Sequence, residues 1–104
     1  MASATELFKA WKEGFDNKDS SILAELLTDD FQMVSRPGTR SKQETLAWVD
    51  SGGNPTIIDN LEVLYENDEV AVYTNGANNG GVAMCFYTKR GAKFSHCRVV
   101  LQAF

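Results

Sequence analysis

The order of helix-like and strand-like segments is the feature that most constrains the fold of this chain. Segments with helical periodicity come before a break at Gly52-Gly53-Asn54-Pro55, and four strand-like segments joined by tight-turn signals follow it. Helices first and strands last predict an α+β domain, in which helices cover one face of a curved antiparallel sheet. We expect residues 1–104 to form a single domain, since this length can bury a core without disulfides.

Composition and charge narrow the range of partners. The apolar fraction of 43% and charged fraction of 23% are typical of a water-soluble globular protein. A net charge of −4 argues against nucleic acid and anionic membranes, because both require a concentrated basic surface. No leader or long apolar stretch is evident, so we expect a cytoplasmic location. Cys85 and Cys97 lack the spacing of a metal site, so we expect buried reduced thiols and neither metal nor cofactor.

Three helices are predicted from apolar periodicity and capping signals. Ser3 and Glu6 form a capping-box pattern ahead of a helix whose apolar stripe is Ala4, Leu7, Phe8, Trp11 and Phe15. A short second helix precedes a strand at 31–35 and a loop at 36–40. A second capping-box pattern, Ser41 with Glu44, begins a third helix that carries Leu46, Trp48 and Val49.

Four strands are predicted at 57–66, 69–77, 82–88 and 92–104, and their turns fix a register that separates two faces. One face is apolar and collects Leu61, Val63, Tyr65, Val70, Val72, Cys85, Tyr87, Cys97, Val99 and Leu101. The other face is mixed and collects Asn60, Glu62, Leu64, Tyr73, Asn75, Met84, Phe86, Phe94, His96, Arg98 and Val100. Helices on the mixed face would enclose a polar-lined pocket and leave the apolar face to a second copy. Helices on the apolar face would instead leave a monomer.

The layout resembles the nuclear transport factor 2-like superfamily, particularly its SnoaL-like and ketosteroid-isomerase-like branches. Its second helix and first-strand turn resemble residues 19–31, DSSILAELLTDDF, and its third-strand hairpin resembles residues 67–73, NDEVAVY. The resemblance implies a cone-shaped, cystatin-like fold whose concave sheet face holds a pocket. It places inside that pocket Tyr73, Asn75, Met84, Phe86, Trp11, Phe15, Phe31, Met33 and Trp48. It also implies a homodimer through the outer sheet face, which we expect to consist of Leu61, Val63, Val72, Cys85, Tyr87, Val99 and Leu101.

The catalytic set of the isomerase-like branch does not carry over to this sequence. Trp11 stands at the position of the helix-1 tyrosine, Ser35 at that of the general-base aspartate, and Met84 at that of the second acid. That mechanism needs one carboxylate base and two oxyanion donors. The steroid isomerase reaction is therefore not expected, while a lyase or hydrolase that uses other pocket residues stays open.

The polar residues of the mixed face supply the remaining candidates. His96 is the only histidine and Glu62 is the only carboxylate on that face, so both are candidate catalytic residues. The simpler interpretations are a hydrogen-bonded strand histidine and an exposed glutamate. Ligand contacts are expected from Arg98, Tyr73, Asn75, Asn60, Met84, Phe86, Trp11, Phe15 and Trp48. A basic loop of Arg36, Arg40 and Lys42 is expected over the pocket mouth, where such charges are usually solvated.

Two classes of function follow from these residues. The first is a pocket that binds a small polar or carbonyl metabolite, with or without an isomerase, lyase or hydrolase reaction. The second is a non-catalytic association domain whose pocket is filled by its own side chains, with Trp11 and Phe86 in contact. We expect no nucleic acid or membrane partner in either class.

Overall fold

The computed structural model describes residues 3–36, 38–52, 58–77 and 81–102. The elements are α1 (Ala4–Asn17), α2 (Ser21–Leu26), β1 (Leu27–Ser35), β2 (Gly38–Ser41), α3 (Lys42–Asp50), β3 (Asp59–Glu66), β4 (Val70–Gly76), β5 (Val82–Arg90) and β6 (Lys93–Gln102). Some predicted features lie outside the described residues: Pro37 in the first loop, residues 53–55 of the break, the strand start at 57, residues 78–80 between the middle strands, and positions 103–104.

All three helices form where their sequence signals predict them. Ser3 Oγ accepts the Glu6 N–H and Ser41 Oγ accepts the Glu44 N–H, and in each pair the glutamate carboxylate accepts a hydrogen bond from the backbone N–H of the capping serine. The apolar stripe of α1 is buried against the sheet, while α2 is only six residues long. In the described ranges, no helix is both long and apolar enough to cross a membrane.

The six strands form one curved sheet in the order β2-β1-β6-β5-β4-β3. Its pairs are antiparallel, as predicted, apart from β1 with β6, which run parallel. The predicted loop at 36–40 is also partly a strand, because β2 pairs Arg40 with Met33 of β1. This strand begins at Gly38, and because glycine is typical of turns, the sequence pattern here predicts a loop.

The β3–β4 and β5–β6 hairpins turn at the predicted sites. Asn67 Oδ1 accepts the N–H groups of both Glu69 and Val70, at 2.8 Å each, which closes the first turn. Gly91 supplies a positive φ of 62° at the second. The register shifts by one residue near Thr88, so the strand bulges next to this turn.

The β4–β5 register differs by one residue from the prediction. Tyr73 pairs with Cys85 and Asn75 pairs with Ala83, whereas Met84 pairs with Thr74. A one-residue slip moves every side chain of one strand to the other face. The face toward the helices, here called the concave face, therefore carries Tyr73 and Asn75 together with Ala83, Cys85, Tyr87, Cys97 and Val99.

This register also overturns the predicted composition of the dimer face. Cys85 and Tyr87 are buried under the helices, and Val99 and Leu61 pack against the core. Leu101 lines the cavity between sheet and helices, and Val63 pairs with Tyr73 on the helix side. Only Val72 lies on the outer side, the convex face, where it pairs with Phe86.

Candidate functional site

A cavity of about 380 Å³ lies between the helices and the concave face. This volume falls at the lower end of the range of about 300–1,000 Å³ that is usual for small-molecule sites. The helices, β1 and the β1–β2 turn contribute one set of walls: Trp11, Phe15, Trp48, Met33, Ser35, Arg36 and Arg40. The remaining walls come from the other strands and their ends: Ile58, Tyr73, Asn75, Ala77, Gly81, Ala83, Cys85, Tyr87, Val99, Leu101 and Gln102.

Three aromatic rings from α1 and α3 form one wall of the cavity. The ring centroids of Trp11 and Phe15 are 5.6 Å apart, and those of Phe15 and Trp48 are 5.1 Å apart in an edge-to-face arrangement. The indole rings of Trp11 and Trp48 also meet edge to face at 6.3 Å. Such contacts add to the burial energy of each ring and hold the wall in place. The sequence placed all three residues here correctly.

The opposite wall holds four polar groups that mainly satisfy one another. Tyr73 Oη donates to Tyr87 Oη at 3.3 Å. Cys85 Sγ lies 3.8 Å from Asn75 Oδ1, and Asn75 Nδ2 donates to the Gly76 carbonyl at 2.8 Å. Because these groups are paired inside an apolar enclosure, they shape the cavity floor at little energetic cost.

Burial keeps these floor groups neutral. It raises the pKa of the Cys85 thiol to about 12. Burial likewise raises the pKa of both Tyr73 and Tyr87 well above the usual value, with the neighbouring thiols adding to the effect. A neutral phenol can donate a hydrogen bond, and a thiol of this kind is a poor nucleophile. The floor therefore supplies polarity but no group that is charged at neutral pH.

Trp11 carries the one buried side-chain polar atom without a hydrogen-bond partner in the described part of the chain. The residue is 4% exposed, it lines the cavity, and its Nε1–H pairs with no protein group. Buried indole N–H groups normally find an acceptor.

Two arginines border the cavity where it opens to solvent. The Arg40 Cζ lies 4.4 Å from the ring centroid of Trp48, so the guanidinium stacks on the aromatic wall. Arg36 is exposed and lines the same cavity. Lys42, the third member of the predicted basic loop, turns away, since its Nζ donates to the Leu27 carbonyl and lies 3.7 Å from Asp29.

No acidic residue and no histidine lines the cavity in the described residues. All 14 acidic residues and His96 fall inside the described ranges, so this statement covers every carboxylate side chain and the sole imidazole. Within those ranges, no group of three acidic, cysteine or histidine side chains is arranged to hold a metal ion.

The structure separates the sequence-predicted site residues into two sets. Trp11, Phe15, Trp48, Tyr73 and Asn75 come together in the cavity, as predicted. The predicted pocket placement of the others is wrong. The convex face holds Met84, Phe86, Arg98, His96 and Glu62, whose ladder partners include Thr74, Thr88 and Gln32. Asn60 is exposed near the start of β3 and does not reach the cavity. The β4–β5 register is the physical reason for most of these errors.

Sequence reasoning missed Tyr87, Cys85, Ala83 and Val99 as cavity residues. Tyr87, Cys85 and Val99 were predicted on the opposite face because of the same register error, and Ala83 was assigned to neither face. The small side chain of Ala83 beside Asn75 was the available signal, since a small residue on a concave sheet leaves room for a ligand. The sequence alone could not use that signal while the strand pairing was open.

Comparisons with known proteins identify the fold. No family model matches the sequence, and no curated protein matches it either. Among solved structures, a SnoaL-like protein of unknown function from Burkholderia thailandensis is 13% identical, with a TM-score of 0.75 over 96% of this chain and 95% of that chain. An NTF2-like protein from Cytophaga hutchinsonii is 10% identical, with a TM-score of 0.73 over 98% and 92%.

A third solved structure has a named activity. The hexachlorocyclohexane dehydrochlorinase LinA-type3 from Novosphingobium barchaimii is 17% identical, with a TM-score of 0.65 over 96% of this chain and 84% of that chain. Structural similarity at such low sequence identity establishes a shared fold only. The chemistry of this chain has to be argued from the residues of its own site. This chain has the nuclear transport factor 2-like fold, with SnoaL-like proteins among its structural neighbours, as the sequence resemblance predicted.

Proposed function

We propose that this chain binds a small, largely apolar or aromatic molecule that carries a hydrogen-bond acceptor such as a ketone oxygen. An aromatic-walled cavity of about 380 Å³, with the unpartnered Nε1–H of Trp11 in one of its wall residues, is the observation that carries the proposal. An unsatisfied buried donor costs about 1–3 kcal/mol, and an acceptor on a ligand removes that cost. The aromatic wall of Trp11, Phe15 and Trp48 supplies apolar contact for the body of the ligand.

Binding without proton transfer is the chemistry that the side chains support. Isomerisation and elimination both need a group that accepts a proton from carbon. None of the acidic side chains, nor His96, lines the cavity in the described residues, and burial holds Tyr73, Tyr87 and Cys85 in their neutral forms. The proposal is therefore a binding protein, although a dehydrochlorinase shares its fold.

The cavity argues against the alternative of a self-filled association domain. That alternative predicted contact between Trp11 and Phe86. Trp11 packs on Phe15 and Trp48 instead, and Phe86 lies on the convex face. A space of about 380 Å³ also stays open between the aromatic wall and the floor.

Titration with 2-acetylnaphthalene, a flat ketone, tests the proposal. Both tryptophans of the chain line the cavity, so tryptophan emission reports directly on its occupation, and calorimetry gives the affinity. We expect saturable binding that Ala83→Phe abolishes, because the added ring fills the floor beside Asn75. Ala92→Phe, at an exposed turn, is the matched control and should bind as the unmodified protein does. Absence of saturable binding to the unmodified protein would reject the proposal.

Trp11→Phe isolates the contribution of the indole donor. The phenyl ring keeps an aromatic wall but removes the N–H, so the ketone should bind about fivefold to tenfold more weakly. Naphthalene itself, which has no acceptor, should lose much less affinity. Equal losses for both molecules would show that the donor plays no part. Mass spectrometry of the recovered ketone tests the absence of turnover, and a new product would overturn the binding-only assignment.

We also propose a homodimer through the convex face, replacing the interface predicted from sequence. Exposed apolar side chains form a patch there: Tyr65, Met84, Phe86 and Val100. An exposed apolar cluster of this kind usually marks a protein interface. Glu62 and Arg98 lie on the same face three strands apart, so two copies related by a twofold axis can oppose their charges.

Sedimentation of Phe86→Asp tests the dimer. A charge in the middle of the patch should convert a dimer into a monomer, because it would be desolvated at the interface. Ile22→Asp, which changes an equally exposed apolar residue on α2, is the matched control and should not change the mass. A monomeric unmodified protein at micromolar concentration would contradict the proposal.

A further inference from the structure

We infer that the ligand is a carboxylate whose charge is held by Arg36 and Arg40 at the cavity opening. This inference rests on the proposed binding function and names the chemical class of the ligand. The body of the ligand would lie against the aromatic wall, and its ketone oxygen would accept from Trp11. Its carboxylate would remain at the opening, where a guanidinium can make paired hydrogen bonds with it.

The charges of the cavity lining are all of one sign. Arg36 and Arg40 contribute two cations, and no carboxylate in the described residues lines the cavity to balance them. The chain as a whole carries a net charge of −4, so this opening is a positive site on an acidic protein. A cleft with like charges and apolar walls concentrates its field on an entering ion of opposite sign.

Within the part of the chain that the structure describes, neither guanidinium group is taken up by a carboxylate. Arg90, by contrast, forms a salt bridge with Asp30 at 2.9 Å. Among the described residues, neither Arg36 nor Arg40 makes a salt bridge or a side-chain hydrogen bond. An arginine is always charged at neutral pH, so each of these two side chains can pair with an anion from solvent or from a ligand.

Arg40 is held in a fixed position beside the cavity. Its backbone pairs with Met33 in the β1–β2 ladder, and its guanidinium lies over the Trp48 ring. Contact with the ring holds the guanidinium beside the cavity, so less side-chain entropy is lost when its N–H groups bind an anion. Arg36 is exposed in the turn before β2 and can close on the same anion from the solvent side.

A matched pair of probes tests the inference: 6-acetylnaphthalene-2-carboxylate and its neutral carboxamide. They have nearly the same size and the same ketone, so the difference between them isolates the charge. In low salt, the carboxylate should bind at least about tenfold more tightly than the carboxamide. The advantage should shrink as salt is raised, because the opening is solvated.

Arginine variants then assign the anchor. Arg40→Gln and Arg36→Gln should each weaken carboxylate binding by about tenfold and leave carboxamide binding within about twofold. Arg40→Lys, which keeps the charge and loses the stacked fork, should retain part of the preference. Arg90→Gln is the matched control: it makes the same chemical change at the last residue of β5, which does not line the cavity, and should leave the affinities for both probes unchanged. If Arg40→Gln does not fold, the exposed Arg36 still provides the test.

The possible outcomes separate this inference from the proposed function. Equal binding of both probes, or a carboxylate preference that survives Arg36→Gln and Arg40→Gln, would overturn the inference and leave the binding function intact. Failure of both probes and of 2-acetylnaphthalene would reject the binding function itself.

Discussion

Tyr73 and Tyr87 stack in the floor of the cavity, with ring centroids 5.6 Å apart and an angle of 20° between the rings. Tyr73 Oη donates to Tyr87 Oη at 3.3 Å, and both side chains are fully buried. Phe8 packs edge to face on Tyr73, and Phe94 does so on Tyr87. Ionising either phenol would place a charge in an apolar enclosure, which is costly, so this pair links protonation to folding.

The chain should therefore lose stability at alkaline pH through these phenols. Burial raises the pKa of Tyr73 and Tyr87 well above the ordinary value. Their contribution to the free energy of unfolding is therefore complete below the unfolded-state pKa of about 10, and it declines as the pH rises above that value. Absorbance at 295 nm should show two of the three tyrosines ionising only as the protein unfolds. Tyr73→Phe and Tyr87→Phe should each remove one of the two tyrosines that ionise on unfolding. Gradual ionisation of both phenols in the folded protein would contradict the prediction.

The two cysteines should be unreactive in the folded protein. Burial raises the pKa of Cys85 to about 12 and that of Cys97 even further, so almost no thiolate exists at pH 8. A disulfide reagent should label neither thiol at pH 8 and both in denaturant. Ala92→Cys, at an exposed turn, supplies a positive control that should react within the mixing period. Rapid labelling of the native protein would show that the floor opens to solvent.

The fold was largely predictable because its signals are local. Ser3 with Glu6, and Ser41 with Glu44, define helix starts within four residues of sequence, and both capping boxes form. The hairpin at Asn67 likewise depends on hydrogen bonds to the next few residues. The parallel pairing of β1 with β6 joins segments more than 60 residues apart, and no local pattern encodes it.

The candidate site was only partly predictable because its composition depends on how β4 and β5 pair. Trp11 and Trp48 follow from helical periodicity, and Tyr73 was assigned to the pocket through the family resemblance. The face of β5 depends on where the β4–β5 connection places its register, and both faces of β5 carry large apolar residues, such as Phe86 and Tyr87. With no alternation to choose between them, a one-residue error exchanged cavity residues for convex-face residues.

Gly14 should be intolerant of a side chain, because α1 and α3 approach each other there. A Cβ added at Gly14 would lie 2.7 Å from Val49 Cγ1, and Val49 is fully buried and stiff about χ1. Overpacking costs about 1–3 kcal/mol, whereas alanine gains about 1 kcal/mol of helix propensity over glycine. Gly14→Ala should therefore lower the free energy of unfolding by about 1 kcal/mol, measured by urea denaturation.

Two further variants separate the steric effect at Gly14 from a general effect of alanine. Gly38→Ala places a methyl group in open space and should change stability by less than about 0.5 kcal/mol. The double variant Gly14→Ala/Val49→Ala should lose less than the sum of the single changes, because removing the Val49 methyl groups relieves the contact. Strict additivity would show that Gly14 is not sterically constrained.

Glu66 connects the start of α1 to the sheet. Replacing it should lower the free energy of unfolding at neutral pH more than at acidic pH. Its Oε2 accepts the Ala4 N–H and the Lys89 ammonium, each at 2.8 Å. Burial alone would raise the pKa of Glu66, but the hydrogen bonds from Lys89 and Ala4 outweigh it and lower the pKa. The contribution is therefore present above the unfolded-state pKa of about 4.3 and is lost as the pH falls through the lower folded-state value.

Glu66→Gln should reduce the free energy of unfolding by about 2 kcal/mol at pH 7, the usual size for hydrogen bonds to a charged group. The Lys89 side chain is only 5% exposed, so its ammonium would be left buried without a counter-charge. Glu13→Gln breaks the exposed Lys9–Glu13 pair and should cost less than about 0.5 kcal/mol. Urea unfolding at pH 7 and near pH 3 is the measurement. The Glu66→Gln deficit should narrow at the lower pH, where the unmodified glutamate also takes up a proton, and an unchanged deficit would indicate a packing defect in place of a lost charge.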